Sequence, residues 1–167
     1  MLLKTARLKI TRLTMDMAEA MCIKSQDEDN RRFVPDEVYE TPEEAKKAVA
    51  YLIESERTER GPFVYPVLLR DGTVIGYVQA CGMETGFEAG YHIAKAYSGQ
   101  GYATEAMTAF VPAIMDRLGI GELWGIVLEE NRASHRVLEK CGFALEYQGM
   151  GSYQGQQRLL RRYVLRR

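Results

Sequence analysis

The spacing of hydrophobic positions changes several times along the chain, and each change marks an element. Near the N-terminus, "ARLKITRL" sets Leu8 and Ile10 against Lys9 and Arg12, an alternation that predicts a first strand. Asp16 then reads as a helix cap before "MAEAMCIK", and a loop follows. Thr41, Pro42, Glu43 and Glu44 combine a cap, a proline at the first helical position and acids in the first turn, predicting a second helix to about Arg57. "FVYPVLLRDGTVIGYVQACG" reads as two strands joined by a tight turn at Asp71-Gly72. After the strand "FEAGYHIA", residues Ala106, Phe110, Ile114 and Leu118 recur at helical spacing from Tyr102 to a stop at Gly119, with a kink expected at Pro112. "ELWGIVLE" is a buried strand, Asn131 caps a helix to Lys140 that Gly142 ends, and "FALEYQGM" and "QRLLRRYVLR" are two last strands. The order β-α-α-β-β-β-α-β-α-β-β predicts a mixed α/β fold around one sheet.

Nothing along the chain divides it: there is no repeat, low-complexity tract or Pro/Ser-rich linker, so residues 1–167 are expected to form a single domain. The 22 basic and 23 acidic side chains nearly cancel, which gives no general attraction to nucleic acid or to an anionic membrane. Cys22, Cys81 and Cys141 are odd in number and contain no C-x-x-C pair, arguing against a disulfide framework and against a zinc site. The reading is a reducing, cytoplasmic compartment and no metal. The N-terminus turns polar at Lys4 and no apolar run approaches the ~20 residues of a membrane span, so neither export nor anchoring is expected.

The stretch Ser98-Gly99-Gln100-Gly101-Tyr102-Ala103 joins a strand to a helix and changes this bland picture. Such a turn gathers backbone N–H groups at the positive end of a helix dipole, where a phosphate or pyrophosphate is favoured. A Walker loop would need Gly-Lys-Ser/Thr, which is absent. Gly99-x-Gly101-x-x-Thr104 approximates the dinucleotide fingerprint, with Glu122 about twenty residues on, but Glu122 opens its strand and only roughly 45 residues remain, too few to complete a doubly wound sheet. Coenzyme A is the third reading, with its pyrophosphate on the amides from Gly99 to Thr104 and its pantetheine arm along the strand that ends near Ile93.

The runs "EAGYHIAKAYSGQGYATEAM" and "ENRASHRVLEKCGF" together resemble the GNAT superfamily of acetyl-CoA-dependent N-acetyltransferases, most closely its RimJ/RimL-like branch. The family turn is written Gln/Arg-x-x-Gly-x-Gly/Ala; this chain matches its last glycine and alanine and has Ser98 where Gln or Arg is usual. Asn131-x-x-Ser134 followed by Val137-Leu138-Glu139-Lys140-x-Gly142-Phe143 matches the branch almost throughout. Element order extends the likeness from about Leu8 to Val164. The resemblance implies a GNAT fold, a single central mixed and mostly antiparallel sheet flanked by about four helices, with acetyl-CoA as co-substrate and no metal. It further implies cofactor contacts from the backbone of Tyr91, His92 and Ile93, from the turn residues Gly99, Gln100, Gly101, Tyr102, Ala103 and Thr104, and from the Asn131 side chain.

An amine attacking a thioester must lose a proton, meet an electropositive spot for the oxyanion, and find a donor for the departing thiolate. By resemblance Glu88 is the base, directly or through water; the alternative is a solvent-facing strand acid. Some relatives carry the base at the position of Ile126, with Glu129 and Glu130 only nearby. The tyrosine that many GNAT enzymes use as acid corresponds to Leu138, and Ser134 takes its place as the thiol's neighbour, unless it merely bonds back to its helix. Asn131 can cap its helix with or without a ligand. Backbone N–H groups near Tyr91 to Ile93 would polarise the thioester if the strand bulges there. His92 and His135 read as ordinary polar side chains.

The acidic loop (Asp27, Glu28, Asp29, Asp36, Glu37, Glu40) lies where the family places its acceptor, which makes Phe33, Asp36 and Tyr39 substrate-binding candidates; a merely solvated loop is the alternative. Arg158, Arg161, Arg162, Arg166 and Arg167 suggest an exposed edge strand protected by charge, the alternative being contact with an acidic partner or a neighbouring subunit. The activity implied is transfer of acetyl from acetyl-CoA to a primary amine, a peptide N-terminus (a ribosomal protein's, for instance) or a small molecule, by direct attack in a ternary complex, on a monomer or homodimer. A catalytically inactive acyl-CoA-binding module is the competing reading.

Overall fold

The computed structural model describes all residues, 1–167. Eight strands form one sheet: β1 (Leu3–Lys4), β2 (Leu8–Ile10), β3 (Phe63–Leu69), β4 (Val74–Gly82), β5 (Phe87–Ile93), β6 (Glu122–Leu128), β7 (Ala144–Tyr153) and β8 (Gln156–Arg166). Their spatial order is β1-β2-β3-β4-β5-β6-β8-β7, and every neighbouring pair is antiparallel except β5 with β6. The helices are α1 (Ala18–Ser25), α2 (Glu28–Phe33), α3 (Pro42–Ser55), α4 (Tyr102–Leu118) and α5 (Arg132–Lys140).

Strand alternation sends side chains to two layers. Phe63, Tyr65 and Val67 of β3 and Ile75, Val78 and Ala80 of β4 pack with Met107, Phe110 and Ile114 of α4, in a core of 20 buried residues. Val64, Val74 and Tyr77 point to the other face and meet Met21 of α1 and Val49 of α3. Each fully buried aliphatic side chain contributes about 1.5–3 kcal/mol, so both helix layers are held mainly by this burial. On β5 the same alternation puts Ala89, Tyr91 and Ile93 on the α4 face, and Glu88 and His92 on the opposite one. His92 stacks on Tyr77 there, with ring centroids 5.7 Å apart.

Four expectations change. The stretch read as a loop contains α2, because the Asp27 side chain accepts the Asn30 N–H while Glu28 and Asp29 begin the helix and Arg31 and Arg32 end it, both charges suiting its dipole. The flanking helices are therefore five. Asp16 caps nothing; it sits inside a one-turn 3₁₀ segment, Met15–Met17, and α1 begins after Met17 without a side-chain cap. The first strand is short, Leu8–Ile10, because the chain folds back and pairs with Leu3–Lys4. The arginine-rich strand is β8, which lies inside the sheet with β7 outside it. Three of its arginines are paired, Arg161 with Glu129 at 2.7 Å, Arg166 with both Glu122 and Glu146, and Arg158 with Glu130, while Arg162 lies over the Tyr147 ring. The turn at Asp71-Gly72 (φ +93° at Gly72) joins β3 to β4 as expected, and α4 continues across Pro112 to Leu118.

Candidate active site

β5 and β6 run parallel and pair only where Glu88 lies opposite Trp124. β5 remains in unbroken register with β4 along its whole length, so the condition of a bulge at residues 91–93 is not met on that side. β5 instead loses its other neighbour, and its edge from Gly90 onward opens into a cleft of about 590 Å³. Because the cleft passes through the sheet, it is lined by side chains from both faces: Tyr91, Asn131 and Ser134 on the α4–α5 side, Glu37, Gln79 and Glu88 on the other.

The α4 end of the cleft suits an anion. Gly99 and Gly101 adopt φ of +74° and +82°, which favours glycine, and Gly101 is the N-cap of α4, making no side-chain cap bond. The first N–H groups of α4 thus face the cleft beside Tyr102, Ala103 and Thr104. Arg136 and Lys140, one helical turn apart on α5, also line it, and neither belongs to an ion pair. Arg7 fixes the turn from outside: its Nη1 donates to the Gln100 carbonyl at 3.0 Å, its Nε to Glu105 at 2.6 Å, and its guanidinium lies 4.3 Å from the centre of the Tyr102 ring. These donors and cations fit a pyrophosphate.

The middle of the cleft is polar and well connected. Asn131 accepts the Ser134 N–H at 3.2 Å, capping α5 and leaving its amide nitrogen free. Ser134 Oγ lies 3.0 Å from the Tyr91 hydroxyl, a contact from strand to helix. Burial pushes the Tyr91 phenol up to about 12, so it stays protonated at neutral pH. Leu138 is 2% exposed and its methyls pack so closely on β6 that a Cβ at Gly125 would come within 2.7 Å.

Glu88 is half-buried on the opposite side, where desolvation pushes its carboxyl up to about 7 against the pull of the Ile126 backbone N–H, with the Glu37 charge adding to the rise. Cys81, its cross-strand partner, is driven to about 12 by burial and by Glu88, so its thiol is no nucleophile at neutral pH. Glu37 accepts hydrogen bonds from the Tyr77 hydroxyl and, at 2.8 Å, from Gln79 Nε2; desolvation still raises its carboxyl. The β7–β8 turn closes over this end: Tyr153 donates to the Phe33 carbonyl at 3.0 Å and Gln154 to Asp36.

The cleft thus gathers Glu88, Ser134, Tyr91, His92, Ile93, Gly99, Gly101, Tyr102, Ala103, Thr104, Asn131, Phe33 and Asp36. It does not gather Gln100, whose carbonyl is taken by Arg7 and whose side chain is exposed, nor Tyr39, which sits behind the wall with its N–H on Ser25 and its carbonyl on Gln26. The His92 side chain is also outside the chemistry. Burial keeps it neutral, and its Nε2 lies 3.2 Å from the Lys24 carbonyl and 3.5 Å from Asp27, pinning α1 and α2 to β5. Sequence reasoning named Glu37 only among the acids of the loop and missed Arg7, Gln79, Arg136 and Lys140. Only the last two left a signal, two cations at i and i+4 just after the capping asparagine.

No helix is long and apolar enough to cross a membrane. Comparison with curated proteins finds no match. Among solved structures, an acetyltransferase of the GNAT family from Bacillus anthracis superposes with a TM-score of 0.84 at 22% identity, covering 99% of this chain and 98% of that one. RimL, the ribosomal L7/L12 alpha-N-protein acetyltransferase, solved with coenzyme A, gives 0.83 at 17% identity and 99% and 98% coverage. The ribosomal-protein-S5-alanine acetyltransferase of Vibrio fischeri gives 0.83 at 15% identity, with 99% and 96% covered. The acetyltransferase (GNAT) domain family matches residues 7–144, the stretch from Arg7 at the glycine turn through the split sheet and α5 to the first residue of β7, and the chain belongs to that family of acetyltransferases.

Proposed function

We propose that the protein transfers the acetyl group of acetyl-CoA directly to a primary amine, of a peptide N-terminus or of a small molecule, in a ternary complex formed in the cleft. The observation that carries this reading is the separation of β5 from β6, which joins a cationic, amide-rich end to a carboxylate-lined end through the sheet. The turn at Gly99–Thr104, with Arg136 and Lys140, holds the pyrophosphate, and the pantetheine arm lies along the free edge of β5. Glu88 takes a proton from the acceptor ammonium, directly or through water, a role suited to a carboxyl pushed up to about 7. The amine adds to the thioester carbonyl, the C–S bond breaks with the electron pair leaving on sulfur, and the second proton shed by the acetylated nitrogen passes to the thiolate by way of the Ser134 hydroxyl, giving the amide and coenzyme A thiol.

Ser134 stands at the sulfur. Either hydroxyl can donate in the Tyr91–Ser134 contact; in the proposed role the Tyr91 hydroxyl donates to Ser134 Oγ, which leaves the one hydrogen of Ser134 to point at the leaving thiolate. The strand tyrosine thereby supports the role that Leu138 cannot fill. The protonated Cys81 thiol speaks against an acetyl-cysteine intermediate and for direct attack. Release of coenzyme A thiol should require both acetyl-CoA and an amine. Glu88→Gln and Ser134→Ala should each lose turnover and keep acetyl-CoA affinity, whereas an inert acyl-CoA-binding module would show no turnover to lose.

A further inference from the structure

The acceptor end of the cleft carries more negative charge than one amine can use. Asp36, Glu37 and Glu88 all line it, and none has a basic side chain within ion-pair distance. Their only partners are neutral: the Tyr77 hydroxyl and Gln79 amide for Glu37, Gln154 for Asp36, and a backbone N–H for Glu88. A single ammonium at Glu88 would leave the half-buried Glu37 without a cation, a cost that its desolvation sets, while Asp36 beside it is exposed at the mouth.

A second observation points the same way. Asn30 is 1% exposed and lines this cleft from α2, the helix that leads into Asp36 and Glu37. Its Nδ2 donates to the Ser25 carbonyl at 3.0 Å, but its Oδ1 has no donor, the one buried side-chain nitrogen or oxygen in the chain without a partner. A buried acceptor of this kind takes its hydrogen bond from an ordered water or from a ligand N–H, and Asn30 stands on the wall that a ligand would meet. The strand register separates the two acidic positions: Gln79, which holds Glu37, lies opposite Gly90, two residues from Glu88 and hence about 7 Å along the strand. Phe33 and Tyr153 add aromatic walls of the sort that favour cations.

We propose that Asp36, Glu37 and the Asn30 carbonyl oxygen form a second cation subsite, so that the acceptor is an amine bearing another protonated nitrogen a short spacer from the one acetylated. This rests on the acetyl-transfer reading and narrows its substrate class. Two sources share the chemistry, a short alkyl diamine and a peptide whose first residue is basic.

The test is titration calorimetry on the protein saturated with coenzyme A, where no turnover occurs. Putrescine is compared with n-pentylamine, and lysinamide with norleucinamide, each pair differing by the distal cation. The dication of at least one pair should bind about tenfold more tightly or better, an advantage that shrinks in roughly 0.5 M salt. The pair that discriminates identifies the source. Glu37→Gln should erase the advantage of the dication over its paired monoamine, and Asp36→Asn should reduce it. Equal affinities within both pairs for the wild type, or an advantage that survives both substitutions, overturns the proposal without touching acetyl transfer. Failure of coenzyme A itself to bind overturns the transferase reading, and the same amine titrations on the free protein then decide the subsite alone.

Discussion

Replacing Glu88 by glutamine removes one titrating group and almost no volume, and its consequences follow from the burial of that carboxyl. Its pKa moves from the ordinary 4.5 to about 7, chiefly through desolvation. At about 1.4 kcal/mol per tenfold, the folded protein disfavours ionised Glu88 by roughly 3 kcal/mol relative to the unfolded chain. Below about pH 4.5 the group is protonated in both states and carries no penalty; between about 4.5 and 7 the unfolded chain releases a proton that the fold retains, so stability falls, and the loss is complete once the folded carboxyl ionises above about 7. Glu88→Gln should therefore match wild type near pH 4 and gain up to roughly 3 kcal/mol at about pH 8, a Tm rise of about 6–12 °C for a chain of this size. Over the same range kcat/KM of the wild type should climb about tenfold per pH unit and level off near 7, while the glutamine variant loses about 10²–10⁴-fold. Thermal melts and initial rates across pH read both effects. A rate profile that breaks near 4.5, or a glutamine variant with undiminished turnover, would refute the assignment of Glu88 as a buried base.

Ser134→Ala should lower kcat by about 10²-fold or more, and Tyr91→Phe by less, with no further loss when Tyr91→Phe is added to Ser134→Ala, since the phenol acts through the serine; additive losses would break that coupling. Arg7→Ala, which frees the Gln100 carbonyl and Glu105, should raise KM for acetyl-CoA about tenfold with kcat unchanged, and an effect on kcat alone would contradict a role in holding the turn. Gly125→Ala puts a Cβ 2.7 Å from a Leu138 methyl and should cost about 1–3 kcal/mol in denaturant unfolding, less in a Leu138→Ala background; an equal cost in both would mean that the contact is not the cause.

Where the sequence was legible, local chemistry decided the structure. The Thr41-Pro42 start of α3, the Asp71-Gly72 turn and the Gly119 stop of α4 depend on one or two residues each, and they sit where periodicity and capping put them. The glycine turn and the Asn131 cap are of the same kind. What stayed hidden depends on the sheet. That β8 is an inner strand is a property of strand order, which no run of arginines reveals, and their partners Glu129, Glu122 and Glu146 lie on two other elements or beside them. The division of Glu88 and Tyr91 between opposite faces follows from alternation, but that they share one cleft follows from the parting of β5 and β6. Glu37 was one acid among six in a segment read as a loop; only the fold of α2 and the segment after it brings it onto Tyr77 and Gln79.

The account depends most on acetyl-CoA occupying the split in the sheet with its phosphates at the start of α4, and calorimetric titration of acetyl-CoA into wild type and Gly101→Glu tests it most directly. A glutamate there, at φ +82°, adds a negative charge among the amides and strain of about 1–3 kcal/mol, so a melt must accompany the titration to establish that the variant is folded. Binding by the wild type in the micromolar range, about 8 kcal/mol, and its loss in a folded Gly101→Glu is the predicted result. No binding by the wild type, or equal affinity in the variant, would contradict it.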